Sequence, residues 1–232
     1  MNRRSIYGLV LMLGIIPIII GTLACMPVPI GNPERSKVDP DFTGVWAILA
    51  SEEESDSDAG AYVFEPFDKR TWLIAGVGLE AGPEVENDYD FSTYQGYEDL
   101  AANEEVHAEH VYTDGVTLYK AWLTKLAGEW FFTWEPKGIV DALGEDPELW
   151  LVFHVNWADD KTLQLLMVDS SAAPFKGIDK TRRAYERVLK KHANDPEIYG
   201  GDDSFRITLR RAEPPVLGFL ETVAAYVIEE EG

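Results

Sequence analysis

Cysteine is almost absent from this chain: Cys25 is the only one in 232 residues. A single cysteine excludes an intrachain disulfide and a zinc site built from several thiolates. Basic residues are scarce too, 20 Lys and Arg against 41 Asp and Glu. A surface of that sign repels nucleic acid, whose phosphates are gripped through Lys and Arg. It suits solubility, or salty surroundings that screen self-repulsion. The chain has no G-x-S-x-G nucleophile elbow and no fixed-period repeat. Carboxylate pairs occur everywhere in so acidic a chain, so no acid/base couple stands out. These gaps lead to the expectation of a non-catalytic protein with no cofactor, no metal and no nucleic-acid partner.

Asn2-Arg3-Arg4-Ser5 is a short positive start, and Ile6 to Ala24 is a continuous uncharged, mostly apolar run. That is the layout of a secretory signal, residues 1–24, although the run is also long enough to span a bilayer. Beyond it the chain keeps 18 basic and 41 acidic residues, a net charge of −23. Gly21-Thr22-Leu23-Ala24-Cys25 closes the run. This stretch resembles the lipobox of bacterial lipoproteins. The resemblance implies cleavage after Ala24 and acylation of Cys25, as a thioether diacylglycerol and at the new amino terminus. Several acyl chains hold a soluble body stably, where one gives only marginal binding. Met26 stands where an Asp would favour retention in the inner membrane, so the resemblance implies the outer membrane of a Gram-negative cell, with the body in the periplasm.

Pro27, Pro29, Pro33 and Pro40 punctuate the next stretch. Proline-rich segments are extended and semi-stiff, so residues 25–41 read as a tether of up to roughly 50 Å. Residues 42–232 read as a single domain, long enough to bury roughly 70% of the extended-chain surface. Nine strands are expected: Gly44 to Ala50, Ala61 to Phe67, Thr71 to Val77, Glu105 to Tyr112, Val116 to Lys125, Glu129 to Glu135, Leu149 to Trp157, Thr162 to Asp169 and Ser204 to Arg211. Leu79 to Glu104 is acidic and weakly patterned, and reads as a flap or a partly disordered insertion. Ala184, Tyr185, Val188 and Leu189 lie at helical spacing, with Asp179 as the N-cap and Asp195-Pro196 as the stop. Val216 to Glu230 reads as a C-terminal helix. The fold class is therefore mainly β: one antiparallel barrel or strongly bent sheet, with an amphipathic helix before the last strand and a helix at the end.

Gly44-Val45-Trp46 on the first strand, after a Pro-Asp turn, is similar to the Gly-x-Trp opening of lipocalins and other calycin-like barrels. In that family the Trp closes one barrel end and stacks under an Arg from the last strand, which makes Arg210 or Arg211 the candidate partner. The wider pattern resembles uncharacterised bacterial outer-membrane lipoproteins, and so implies a fold and a location without an activity.

Other patterns are weighed and set aside. Gly76-Val77-Gly78-Leu79-Glu80-Ala81 fits the dinucleotide spacing, but Gly82-Pro83 follows where a phosphate-binding helix must begin. Asp88, Asp90, Ser92 and Asp99 sit near calcium-loop positions, yet Thr93 stands where the loop needs glycine. Glu105, His107 and Glu109 would share one strand face and offer too few converging ligands for a metal. Three groups remain as candidate sites. Trp130, Phe132 and Trp134, on one face at period two, together with His154, would line a barrel cavity. Gly44, Trp46, Arg210 and Arg211 would build the barrel end. Arg183, Arg187 and Lys190, on the one strongly basic helix, would face anionic headgroups. The first functional expectation is an envelope lipoprotein that binds a small apolar molecule or lipid in its barrel. The second is a module that docks on another envelope protein, its barrel filled by its own side chains.

Overall fold

The computed structural model of the protein describes residues 25–50, 59–81, 89–108, 111–112, 116–137, 149–201 and 205–231. Residues 1–24, which hold the apolar run and all of the lipobox-like stretch but Cys25, lie outside the described residues. Eight strands close into an antiparallel barrel: β1 (Gly44–Leu49), β2 (Gly60–Pro66), β3 (Trp72–Gly78), β6 (Val116–Leu126), β7 (Glu129–Pro136), β8 (Leu151–Trp157), β9 (Thr162–Met167) and β10 (Arg206–Arg211). Their order around the wall is β1-β10-β9-β8-β7-β6-β3-β2. β4 (Glu80–Ala81) and β5 (Val111–Tyr112) form a small separate ladder. Three helices lie outside: α1 (Tyr94–Ala102), α2 (Arg182–His192) and α3 (Val216–Glu231).

Alternation along the strands builds the wall, because successive side chains point to opposite faces. Inward residues such as Phe64, Ile74, Phe132, Trp134, Phe153 and Leu165 form one buried cluster. The β6–β7 hairpin turns on Ala127 and Gly128, with φ of 53° and 99°. Two left-handed residues make the type I′ turn that matches strand twist. Gly76 is required for another reason. A Cβ there would lie 2.6 Å from Thr117 Oγ1 and 2.7 Å from the Tyr62 ring.

Outside the barrel two further apolar clusters lie under the helices. One sits under α2 and includes Phe131, Val152, Tyr185 and Leu189. The other joins α1 and α3 to the β1–β2 side through Ala47, Ala61, Tyr97, Leu100, Leu220 and Val223. Tyr97 is the pin of that second cluster. Its hydroxyl accepts from Gly60 N–H at 3.0 Å and lies 2.5 Å from the Ile48 carbonyl oxygen. Burial pushes its phenol strongly upward, so it stays protonated at any ordinary pH. Replacing Tyr97 with Phe leaves a buried N–H unpaired and should cost about 1–3 kcal/mol. Denaturant titration checks this; an unchanged midpoint would count against the pin.

Four expectations from the sequence are corrected by the fold. First, residues 25–41 are no free tether but a strap folded along the outside of the barrel. Met26 and Ile30 are fully buried, and Met26 pairs with Trp150 through bonds of 2.8 and 3.1 Å. The Ile30 carbonyl takes the Trp122 indole N–H at 2.8 Å and the Thr133 hydroxyl at 3.0 Å. Pro33 and Pro40 open short 3-10 turns, and the strap's apolar residues find the wall of β6 and β7; the packed body thus begins at the strap, well before residue 42. Second, the stretch read as a flap contains α1. Tyr94, Tyr97, Leu100 and Ala101 supply its helical period, diluted by Glu98 and Asp99. Third, of the strand expected over 105–112 only Val111–Tyr112 is strand among the described residues, and it is not part of the barrel, so the barrel has eight strands rather than nine. Fourth, the N-cap of α2 is Thr181, whose hydroxyl accepts from Ala184 N–H, and not Asp179.

Candidate functional site

One end of the barrel is closed by the chain's own side chains. Pro40–Phe42 forms a 3-10 turn, capped by the Asp39 carboxylate on Asp41 N–H. The turn drops the Phe42 ring among Phe132, Trp157 and Trp72, at centroid distances of 5.5, 5.3 and 6.1 Å. Trp46 is fully buried beside it and donates its indole N–H to the Phe42 carbonyl at 2.9 Å. Antiparallel register sets Trp46 opposite Arg211, so the two side chains share a face. The Arg211 guanidinium lies 4.4 Å over the Trp46 ring. It also donates to the carbonyl oxygens of Thr43, at 2.8 Å, and Asp41. Gly44 sits at φ 125°, where the chain leaves the plug for the wall. Of the two candidate arginines it is therefore Arg211 that covers Trp46. Arg210 faces outward to Asp159 at 3.0 Å and lies over the Tyr94 ring.

Aromatic rings occupy the barrel's interior. Phe132 and Trp134 are fully buried, and the Trp134 ring meets Phe153, Tyr62 and Tyr119 at 4.9, 5.1 and 5.2 Å. The other two cavity candidates are corrected. Trp130 continues the face of Phe132 and Trp134 but lies beyond the packed cluster, 41% exposed, with Lys125 Nζ 5.1 Å over its ring. His154 is on the outer face of β8. It lies between Phe131 and Tyr199 and 3.2 Å from Glu129 Oε2. Even numbers along β8 face out, which places His154 under the α2 side of the wall.

Cys25 is half-buried at the start of the strap, its carbonyl accepting from the Ser170 hydroxyl at 2.8 Å. Burial pushes its thiol upward. Among the described residues no group of three or more His, Cys, Asp or Glu is arranged to hold a metal, and no helix is long and apolar enough to cross a membrane. Asp90 and Asp99 have local partners: Asp90 caps the turn before α1 through Ser92 N–H, and Asp99 accepts from Gln95. His107 is off any strand, and Asp88 and Glu109 lie outside the described residues.

Arg183, Arg187 and Lys190 are all exposed on α2. Their i, i+4, i+7 spacing sets them on one side of the helix, but they do not share one concavity. Arg183 and Lys190 border a groove between α2, the strap and the β6–β7 hairpin, whereas Arg187 does not. Sequence reasoning misses this groove, because its strap wall reads as a tether. The signal is present as Arg35 and Lys37, two cations in a stretch otherwise marked by its prolines. No protein-family model, curated protein or solved structure matches this chain.

Proposed function

We propose that this chain is a non-catalytic, lipid-anchored lipoprotein of the bacterial envelope whose filled barrel serves as an interaction module for another envelope protein. The observation that carries this reading is the barrel's content. Trp46, Phe64, Trp72, Phe132, Trp134 and Phe153 are all at or within 1% of complete burial and touch one another ring to ring. A barrel so packed offers its outside rather than its inside. The strap supports a close anchorage. Cys25 is one residue from the Met26–Trp150 pair, so acyl chains on Cys25 would hold the wall directly at the bilayer. The lipobox resemblance and Met26 support the outer membrane, with the body in the periplasm.

Cys25→Ser is expected to abolish acyl labelling in cells and to release or misprocess the chain. Unchanged labelling and membrane retention would defeat the anchor. Crosslinking of the native protein in its own membrane should recover a defined envelope partner rather than a small molecule.

A second reading, a small apolar ligand or lipid inside the barrel, has one observation in its favour. The indole N–H groups of Trp72 and Trp134 are buried without a partner among the described residues. Unpaired buried donors are uncommon and often sit beside a bound group. Native mass spectrometry of protein extracted from its own membrane separates the two readings: a retained small molecule of fixed mass favours the ligand.

A further inference from the structure

The groove beside α2 has a charge opposite to the rest of the protein. It holds about 740 Å³. Arg35, Lys37, Lys125, Arg182, Arg183 and Lys190 border it, against a single carboxylate, Glu186. That carboxylate is already engaged: Glu186 Oε1 accepts from Gly31 N–H at 3.1 Å and lies 3.8 Å from Arg182 Nε. Arg182 in turn donates to the Gly31 carbonyl at 3.0 Å. Lys125 lies over the Trp130 ring at 5.1 Å, and the other four cations are left over. Among the described residues Arg35, Lys37, Arg183 and Lys190 form no ion pair, although the chain carries 41 acidic residues that could supply one. Elsewhere the same chain does pair its cations, as in Lys161 with Glu213 at 2.7 Å and Arg210 with Asp159 at 3.0 Å.

Four unpaired cations around one concavity repel each other, and an anion relieves that repulsion. Guanidinium forks and flexible ammonium groups together suit the tetrahedral oxyanion of a phosphate ester. The groove is too large for an inorganic ion alone, and the half-exposed Trp130 adds an apolar wall for an organic body. We propose that this groove is a binding site for a phosphate ester, held by Arg35, Arg183 and Lys190 with Trp130 beside its organic part. The ester is either a free small molecule or the headgroup of an anionic lipid. The site uses neither Cys25 nor the barrel interior, so it does not depend on acylation of Cys25 or on a ligand inside the barrel.

The test is calorimetric titration of the full chain in non-ionic micelles. One arm uses glycerol 3-phosphate, with glycerol as the uncharged comparison. The other dopes the micelles with phosphatidylglycerol, with phosphatidylcholine as the neutral comparison. Arg183→Glu with Lys190→Glu is the groove variant. Arg187→Glu with Lys191→Glu makes the same charge change on exposed residues of the same helix, outside the groove. Each charge-assisted contact is worth about tenfold or more, so the groove variant should bind about 100-fold more weakly or not at all. The control variant should bind like the parent. That pattern with glycerol 3-phosphate identifies a free ester, and the same pattern with phosphatidylglycerol alone identifies a headgroup. No binding in either arm, or equal weakening in both variants, overturns the site. Thermal melting of both variants confirms that each is folded before it is titrated.

Discussion

Trp46→Ala is expected to destabilise the protein by about 3–5 kcal/mol, the range for removing a large aromatic from a packed core. Four contacts go with the ring. The Phe42 carbonyl loses its 2.9 Å donor, so the plug is no longer tied to the first strand. The Arg211 guanidinium loses the ring beneath it, a contact of about 0.5–2 kcal/mol. Phe64 and Trp157 lose their ring neighbour at 6.3 and 5.8 Å. Arg211→Met removes only the cation and its two carbonyl contacts, and should cost less than the Trp change. Denaturant midpoints at constant slope measure both. A Trp46→Ala loss below about 1 kcal/mol would mean that the barrel end does not depend on this residue.

Gly31→Ala is expected to loosen the strap at a cost of about 2–6 kcal/mol, the sum of a left-handed backbone forced on alanine and an overpacked wall. Gly31 is at φ 75°, and a Cβ there would fall 1.7 Å from Thr124 Oγ1 and 2.7 Å from Thr124 Cβ. The residue cannot simply move away, since its N–H is held by Glu186 and its carbonyl by Arg182. Displacing it uncovers Met26 and Ile30 and opens the groove wall. Adding Thr124→Ala removes the nearest atom and should restore part of the loss, while the φ penalty remains. Hydrogen exchange at Leu123, whose N–H donates to Ser36 Oγ at 3.1 Å, reports strap release directly. Gly31→Ala that melts like the parent, with Leu123 equally protected, would show that the strap is not fastened at this point.

The barrel wall is legible in the sequence because strand alternation and hairpin turns are local signals. Trp130, Phe132 and Trp134, and Leu151, Phe153, Val155 and Trp157, recur at period two, and Ala127-Gly128 turns the chain within two residues. The helix α1 is hidden because its apolar period sits in a stretch crowded with Asp and Glu, where the few apolar residues do not stand out. The strand expected around His107 fails because polar alternation alone, without a neighbouring edge to pair with, does not make a ladder. Trp130 and His154 are misplaced for a related reason. Period two assigns a face but does not say where along the strand the packed interior ends or what covers the outside.

What the sequence by itself determined is the class of object: a single-cysteine, acidic, β-rich chain behind a basic and then apolar start, without a nucleophile motif. These features depend on composition and on neighbours a few residues apart. Tertiary structure alone decided that Arg211 rather than Arg210 covers Trp46, because that choice rests on the register between β1 and β10, strands more than 150 positions apart. It alone decided that residues 25–41 lie against the wall, since the buried partners of Ile30 are Trp122 and Thr133, about 100 residues away. The cationic groove exists for the same reason. Its charges come from the strap, a hairpin and a helix, and only long-range packing brings the three together in a chain whose overall charge has the opposite sign.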